Sequence, residues 1–131
     1  TEEAVRRAVL DAARIAYSTG PSGVALIALF ERWGIAEAIK EQLVQAPPGV
    51  PVGSLLARGE ASLGFQQFSE LIGVEGITLL GPLPPATQIT TIFSAAPVAN
   101  TPKAEAADAL LVYLGSPATE EAKRRHGMEP A

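Results

Sequence analysis

Apolar and polar positions follow a helical pattern at the start of the chain and a strand pattern directly after it. The first apolar residues are spaced three and four apart, which predicts an amphipathic helix with one buried face. That face is formed by Val5, Ala8, Val9 and Ala12. A short apolar run, Ile15 to Ser18, then lies between charged and turn-forming residues and is typical of a buried strand. The chain is therefore predicted to begin as a helix followed by a strand.

A polar turn joins this strand to a second helix, and it is the most informative part of the sequence. The turn, Thr19 to Gly23, holds two hydroxyl side chains, two glycines and a proline, and the apolar run Val24–Phe30 follows it and stops before Gly34. A helix that begins at such a turn directs unpaired N–H groups and the positive end of its dipole to one place. This suits an anion or a polar ligand. The alternative interpretation is that Ser22 only caps the helix.

Strand and helix signals alternate through the rest of the chain. Strands are predicted at 43–45, 61–67, 76–80 and 88–96, and helices at 35–42, 52–58 and 68–72. Two more helices are predicted after Thr101-Pro102 and Ser116-Pro117, because a capping residue followed by proline is a common helix start. This alternation predicts an α/β layered domain with a largely parallel sheet.

Composition excludes several classes of function. The formal net charge is −4 without a basic cluster, which argues against nucleic acid as a partner. The chain has no cysteine, so disulfides, thiolate metal sites and thiol nucleophiles are excluded. No apolar run approaches the roughly 20 residues that a membrane-spanning helix needs. Because residue 1 opens directly into a helical pattern, we expect either a cytosolic protein or one whose start has been removed.

Few residues are candidates for catalysis. The single histidine, His126, stands near the end of the last predicted helix, where the helix dipole favours a cation. Glu70 is the only carboxylate next to a candidate site, and it can equally be a surface residue. The sequence contains neither a phosphate-binding loop motif nor the glycine fingerprint of dinucleotide-binding proteins. We therefore expect no catalytic residue, no metal site and no cofactor.

Polar residues follow two of the predicted strands, at the edge where an open α/β sheet binds its ligands. These are Ser18 to Ser22 after the first strand and Gln66 to Ser69 after the third. A glutamine side chain both donates and accepts hydrogen bonds, so two adjacent glutamines suit a ligand that carries oxygen atoms. The alternative is that the glutamines tie loops together.

At these residues the chain resembles the substrate-binding proteins of ABC importers, which have a two-lobed periplasmic-binding fold. The molybdate-binding proteins are the most similar branch. The resemblance rests on the order of several motifs along nearly the whole chain, namely Ile15-Ala-Tyr-Ser18 with its Gly/Ser turn and helix, the stretch 52–71 with Gly64-Phe-Gln-Gln67, Gly76-Ile-Thr-Leu-Leu-Gly-Pro-Leu-Pro84, Tyr113-Leu-Gly-Ser-Pro-Ala118 and the ending Gly127-Met-Glu-Pro130.

The resemblance implies a three-layer lobe of the type II periplasmic-binding fold, with a mostly parallel sheet. Residues 1–88 would be its second lobe. Residues 89–131 would be a crossing strand and two helices that belong to the first lobe, whose N-terminal half-lobe this chain lacks. The ligand-binding residues carried over from the family are Thr19, Gly20, Ser22, Gly23 and Gln67, with Pro51 to Gly53 as a weaker contact. Molybdate binders carry a tyrosine at the position of Gln67, which speaks against molybdate as the ligand.

The function implied by the resemblance is a non-enzymatic, periplasmic solute-binding component of an ABC-type importer. Its ligand would be a small polar or anionic solute, such as an oxyanion or a small carboxylate, and its partners the membrane subunits of the transporter. A second copy of the chain, or an N-terminal fragment, would complete the fold. One alternative is a cytosolic ligand-sensing domain of a transcriptional regulator with the same fold. Another is an enzyme acting on a small acid, for which the sequence displays no base or nucleophile.

Overall fold

Six α-helices and three short strands make up the regular structure of residues 1–130, which are the residues that the computed structural model describes. In chain order they are α1 (Glu2–Asp11), β1 (Ile15–Tyr17), α2 (Pro21–Arg32), β2 (Leu43–Gln45), α3 (Val52–Ala57), β3 (Leu63–Phe65), α4 (Phe68–Leu71), α5 (Ala104–Leu114) and α6 (Glu120–Arg125). Single 3₁₀ turns lie at Lys40–Gln42, Pro85–Thr87 and Pro117–Thr119.

The three strands form one parallel sheet in the order β2-β1-β3. Ile15 is in register with Leu43 on one side and Leu63 on the other. Consecutive residues of a strand point to opposite faces of a sheet, so Ile15 and Tyr17 share one face and Ala16 lies on the other. The predicted α/β class with a mostly parallel sheet is confirmed.

Helices cover both faces of this sheet, which gives three layers. On one face the fully buried Val9 and Phe30, from α1 and α2, pack with Ile15. On the other face Val52 and Leu55 of α3 pack with Ala16, as expected where a parallel sheet is covered on both sides. Gly64 of β3 also faces α3, and a Cβ atom there would lie 2.8 Å from the Leu56 side chain. Glycine at this position therefore lets α3 lie close to the sheet.

Two contacts fix the ends of the first two helices. Thr1 is the N-cap of α1, since its hydroxyl accepts a hydrogen bond from the Ala4 N–H at 3.3 Å. At the C-terminal end of α2, the Trp33 indole N–H donates to the carboxylate of Glu2 in α1 at 2.6 Å. Gly34 then ends α2 with a positive φ of 68°, a conformation that glycine adopts without strain. The predicted start of α1 and the predicted end of α2 are both confirmed.

Three predicted elements are not formed. The segment 35–42 contains turns and the 3₁₀ turn Lys40–Gln42 instead of a helix, although Ile35 and Ile39 are both buried. The strands predicted at 76–80 and 88–96 are irregular. A strand needs a neighbouring strand for its backbone groups, and within residues 1–130 none pairs with either segment. Both segments are rich in β-forming residues, but composition alone does not supply a partner strand.

The chain divides into two compact units, Thr1–Thr91 and a second unit that begins at Ile92. The second unit starts as an exposed irregular segment and continues with α5 and α6. Its helices are joined through the buried Thr119, whose hydroxyl donates to the carbonyl oxygens of Leu114 (2.9 Å) and Ser116 (3.0 Å). The Lys123 ammonium also donates to the Leu114 carbonyl at 2.5 Å, so the free end of α5 is capped twice. The two predicted C-terminal helices are confirmed. The predicted start at Thr101-Pro102 is wrong, because α5 begins at Ala104 with Lys103 as its N-cap residue.

Candidate functional site

All three strands are parallel, so the segments that follow them emerge at one edge of the sheet. Residues 18–23 leave β1, residues 46–51 leave β2, and Gln66 and Gln67 leave β3. The predicted site residues are therefore concentrated at the sheet edge where ligands of α/β proteins bind. The fold brings the polar turn before α2 and the two glutamines to the same end of the molecule, as the sequence predicts.

The first turn of α2 does not use Ser22 as its cap. The N-cap residue is Gly20, Pro21 is the first helical residue, and no side chain caps the helix. The Ser22 hydroxyl instead lies 2.9 Å from the Ser18 hydroxyl, in a bond where either oxygen can donate. The alternative interpretation, that Ser22 only caps the helix, is therefore wrong. Because proline has no N–H, Ser22 carries the first backbone donor of the helix.

Gly23 has a packing role at the start of α2. A Cβ atom on this residue would lie 1.8 Å from the Ser18 carbonyl oxygen, so no other residue fits without displacing the helix. Its N–H already donates to the Gly20 carbonyl at 2.9 Å. Gly23 is thus buried and its donor is satisfied, while Thr19 is exposed and Gly20 is half-buried. Of the four turn residues predicted to bind a ligand, Ser22 alone lines the cavity that Gln66 and Gln67 also line.

That cavity has a volume of about 750 Å³ and lies within the first unit. Its lining comes from β3, from parts of α1, α2, α3 and α4, and from the irregular segment 76–84. Ser22, Gln66 and Gln67 all line it, among mainly apolar side chains. Apolar walls with a few polar groups are typical of small-molecule sites. All three residues of β3, which pairs only with β1, line this cavity.

The two adjacent glutamines have different roles in the structure. The Gln66 side-chain oxygen accepts a hydrogen bond from the Val52 N–H at 2.8 Å, and its NH₂ group donates to the Glu70 carboxylate. Gln66 therefore ties together the end of β3, the start of α3 and α4. Gln67 is the N-cap residue of α4, but its side chain makes no capping hydrogen bond. This half-buried side chain lines the cavity. For Gln66 the structure contains the interpretation that a glutamine ties loops together. A ligand-binding role for Gln67 stays a prediction.

The weaker predicted contact, Pro51 to Gly53, is less accessible. Val52 and Gly53 are buried, and the first N–H of α3 is occupied by Gln66. A ligand in the cavity would meet Gln66 before it met this helix end. His126, in the second unit, is the C-cap residue of α6 and exposed, as its position in the sequence predicts.

The cavity is electrically neutral in its side chains. Among the described residues, no Asp, Glu, Lys, Arg or His side chain lines it. Within residues 1–130, no three acidic or histidine side chains come close enough together to hold a metal ion. The donors that the cavity offers to an oxygen-rich ligand are hydroxyl, amide and backbone N–H groups.

Sequence reasoning missed part of the cavity lining. The segment 76–84 and Gln88 were interpreted as strands or connectors, yet they line the same cavity as β3. Ser18 was placed in a polar strand end, but its bond to Ser22 is visible only in three dimensions. The available signal was the polar Thr78 within the otherwise apolar segment 77–80, and Gln88 at the start of the next predicted strand.

Comparison with known proteins decides the family. The family model described as bacterial extracellular solute-binding protein matches residues 1–129. The chain belongs to this family. The predicted solute-binding family is thereby confirmed, and with it a role in binding small molecules. No helix among the described residues is both long enough and apolar enough to cross a membrane.

One curated relative is an enzyme. The chain is 40% identical over 129 residues to a Pseudomonas sp. protein named aconitate isomerase. The matched region covers 98% of this chain and 49% of the relative. The chain thus spans about half the length of the curated relative it matches. No solved structure matches this chain.

This relative overturns the expectation of a non-enzymatic protein, because an isomerase carries the same domain at 40% identity. That expectation rested on the lack of a base or nucleophile in the sequence. A cavity lined by neutral groups does not by itself exclude catalysis, since catalytic groups can be contributed by residues beyond the cavity lining or by another part of a protein.

Proposed function

We propose that this chain forms one lobe of an isomerase of the solute-binding family that acts on aconitate or a closely related unsaturated tricarboxylate. The observation that carries the proposal is the combination of the relative named aconitate isomerase with a cavity of about 750 Å³ whose polar groups are all neutral hydrogen-bonding groups. A small carboxylate is the ligand class that these donors favour. The proposed binding residues are Ser22 and Gln67, with Thr19, Gly20 and Gly23 shaping the turn before α2.

The first turn of α2 suits one carboxylate of such a ligand. The Ser22 N–H and hydroxyl lie at the positive end of a 12-residue helix, and Gln67 adds an amide donor from the end of β3. A carboxylate accepts several hydrogen bonds, and bonds to a charged acceptor are stronger than neutral ones. Ser22 would bind one carboxylate oxygen while Gln67 binds a second oxygen or a neighbouring carboxylate.

Three carboxylates carry more negative charge than neutral donors can offset in a closed site. No cationic side chain among the described residues lines the cavity. We therefore propose that lysine or arginine side chains from the part of the protein that faces this lobe supply the remaining charge. In the same proposal, residues 1–88 act as the second lobe and 89–131 cross back to pack on the first.

Interconversion of cis- and trans-aconitate requires an intermediate in which the carbon–carbon double bond has a lower bond order, so that its geometry can change. Loss of a proton from the methylene group beside the double bond gives an anion that is delocalised over three carbons and the carboxylates. Return of the proton to the other end re-forms a double bond with the alternative geometry. Donors fixed at a carboxylate, such as Ser22 and Gln67, stabilise the charge that develops there. The proton acceptor would come from outside the cavity lining.

A second candidate is the solute receptor of an ABC-type importer for the same class of ligand. The family description, bacterial extracellular solute-binding protein, favours it. Such a receptor would be periplasmic, would close on its ligand by a hinge movement and would contact the membrane subunits of the transporter. It would bind tricarboxylates without converting them.

One experiment separates the two candidates. Purified complete protein is incubated with trans-aconitate in deuterated buffer, and the vinyl and methylene signals are followed by proton NMR. An isomerase produces the cis form and exchanges methylene protons for deuterium. Binding of trans-aconitate by calorimetry without any conversion would favour the receptor. Neither binding nor conversion would contradict both.

A further inference from the structure

The Gln66 amide uses both of its ends inside the protein. Its oxygen accepts from the Val52 N–H at the start of α3, at 2.8 Å, and its nitrogen donates to the Glu70 carboxylate on α4. The direction of each bond is fixed by its partner, because a backbone N–H can only donate and a carboxylate can only accept. Gln66 also lines the cavity, next to Gln67.

Glu70 stands just outside the cavity. It belongs to the four-residue helix α4, whose neighbouring Phe68 and Leu71 line the cavity while Glu70 does not. It is exposed and forms no salt bridge among the described residues. The bond from Gln66 is therefore its only side-chain partner within residues 1–130. Without that bond, rotation of the Glu70 side chain could bring a negative charge towards the cavity.

We propose that Gln66 is a positioning residue that determines specificity for anions, because it holds the Glu70 carboxylate away from the cavity and fixes Gln67 beside it. The inference rests on the proposed function as a carboxylate-binding protein. An anionic ligand is repelled by a carboxylate in the same low-dielectric space, and the repulsion is stronger there than in water. Removal of the tie should therefore weaken anion binding through charge as well as through lost order.

Only an amide satisfies both partners of this position. Leucine has a similar size but can neither accept from Val52 nor donate to Glu70. Glutamate could accept from the Val52 N–H, but its second oxygen would face the Glu70 carboxylate. The Val52 N–H and the Glu70 carboxylate together therefore require an amide at position 66. The effect of Gln66 on binding can be separated from the effect of Glu70 by single and double substitutions.

The test is a double-mutant cycle in the complete protein with Gln66→Leu, Glu70→Gln and the double variant, and Gln66→Ala replaces Gln66→Leu if the latter does not fold. Affinity for trans-aconitate is measured by calorimetry at low and high salt. Gln66→Leu should weaken binding by about tenfold, the order of magnitude of the repulsion between two like charges several ångströms apart near a protein surface. The loss should shrink at high salt, because repulsion between charges is screened.

The double variant decides the mechanism. If Gln66 acts by restraining a charge, Gln66→Leu/Glu70→Gln should recover most of the affinity, although the bond to Val52 is still missing. A double variant as weak as Gln66→Leu, with a loss that does not depend on salt, would overturn the inference and leave Gln66 with a packing role only.

A measurement without ligand keeps this inference separate from the proposed function. Hydrogen exchange of the Val52 amide should accelerate in Gln66→Leu. An unchanged exchange rate would contradict the hydrogen bond between the Val52 N–H and the Gln66 side chain. A wild-type protein that does not bind trans-aconitate contradicts the proposed function alone, and the exchange rate at Val52 then decides whether Gln66 holds its neighbours.

Discussion

At the scale of single residues, neighbouring positions in the turn before α2 have different functions. Gly23 is required because the helix lies against the Ser18 carbonyl, whereas the adjacent Ser22 lines the cavity. Gly20 is the N-cap residue, and a Cβ atom there would meet no other atom within 4 Å. The sequence identified this turn as the candidate site, since hydroxyls, glycines and a helix start coincide there. It could not tell which glycine is packed, because that depends on a contact with the preceding strand end.

Gly23→Ala should lower the free energy of unfolding by about 1–3 kcal/mol, the usual cost of overpacking a buried position. The reason is the Cβ position 1.8 Å from the Ser18 carbonyl oxygen, where backbone has to move. Gly20→Ala is the matched control in the same turn and should cost less, because its Cβ atom would meet nothing within 4 Å and only the preference of the N-cap position for glycine over alanine is lost. Urea unfolding of both variants measures the difference, and equal midpoints would contradict the packing role of Gly23.

At the scale of elements, helices and strands form where local signals and partners agree. The elements with both an apolar face and a clear stop, such as α2 and α5, are formed as the sequence predicts. The strands predicted at 76–80 and 88–96 had the right composition but have no partner strand in the described part of the chain. A strand is stabilised by its neighbour, so a pattern in one segment does not decide whether it pairs. For the same reason the cavity wall at 76–84 could not be predicted.

Phe30 is the residue on which packing around α2 depends most. It is fully buried, and its ring lies 6.0 Å from the rings of both Trp33 and Phe65. Phe30→Ala should therefore lower the free energy of unfolding by about 3–5 kcal/mol. Val24→Ala on the same helix is the control, because Val24 is 70% exposed and should change stability little. Thermal unfolding of the two variants tests this, and a small effect of Phe30→Ala would mean that the core is not organised around α2.

The link between α1 and α2 can be tested with two adjacent glutamates. Glu2 accepts the hydrogen bond of the Trp33 indole, whereas Glu3 occupies the same first helical turn without such a bond in the described structure. Both carboxylates interact with the helix dipole, so their difference isolates the bond. Glu2→Ala should cost about 1 kcal/mol more than Glu3→Ala in denaturant unfolding. Tryptophan fluorescence should also shift in Glu2→Ala alone, and identical behaviour of the two variants would contradict the link.

At the scale of the whole molecule, the first unit has a core and the second unit has an apolar surface. Large apolar side chains are exposed along the second unit, among them Ile92, Phe93, Val98, Leu110 and Val112. Each unit of apolar area left in water costs about 25 cal/mol per Å², so a surface of this kind favours a partner. The apolar composition of these segments is visible in the sequence. Which surface covers it depends on parts of a protein that a pattern within 131 residues cannot describe.

We predict that the 131-residue chain alone self-associates in solution, because residues 89–131 are proposed to pack on another lobe. Light scattering should give a mass above that of one chain at high concentration. Leu110→Lys with Val112→Lys should reduce the association, since both side chains are exposed on α5. An N-terminal fragment supplied in excess should compete with it. A chain that stays monomeric at high concentration would contradict the proposed packing.

The central claim is that the turn before α2 and the end of β3 bind a carboxylate of the ligand. The most direct measurement is a calorimetric titration of trans-aconitate into the complete protein and into its Ser22→Ala/Gln67→Leu variant, with Ser69→Ala as a control on α4. We expect tight binding by the wild-type protein and by the control. The double variant should bind at least about tenfold more weakly, since it loses two donors to a charged group. Equal affinities for the wild type and the double variant would contradict the account.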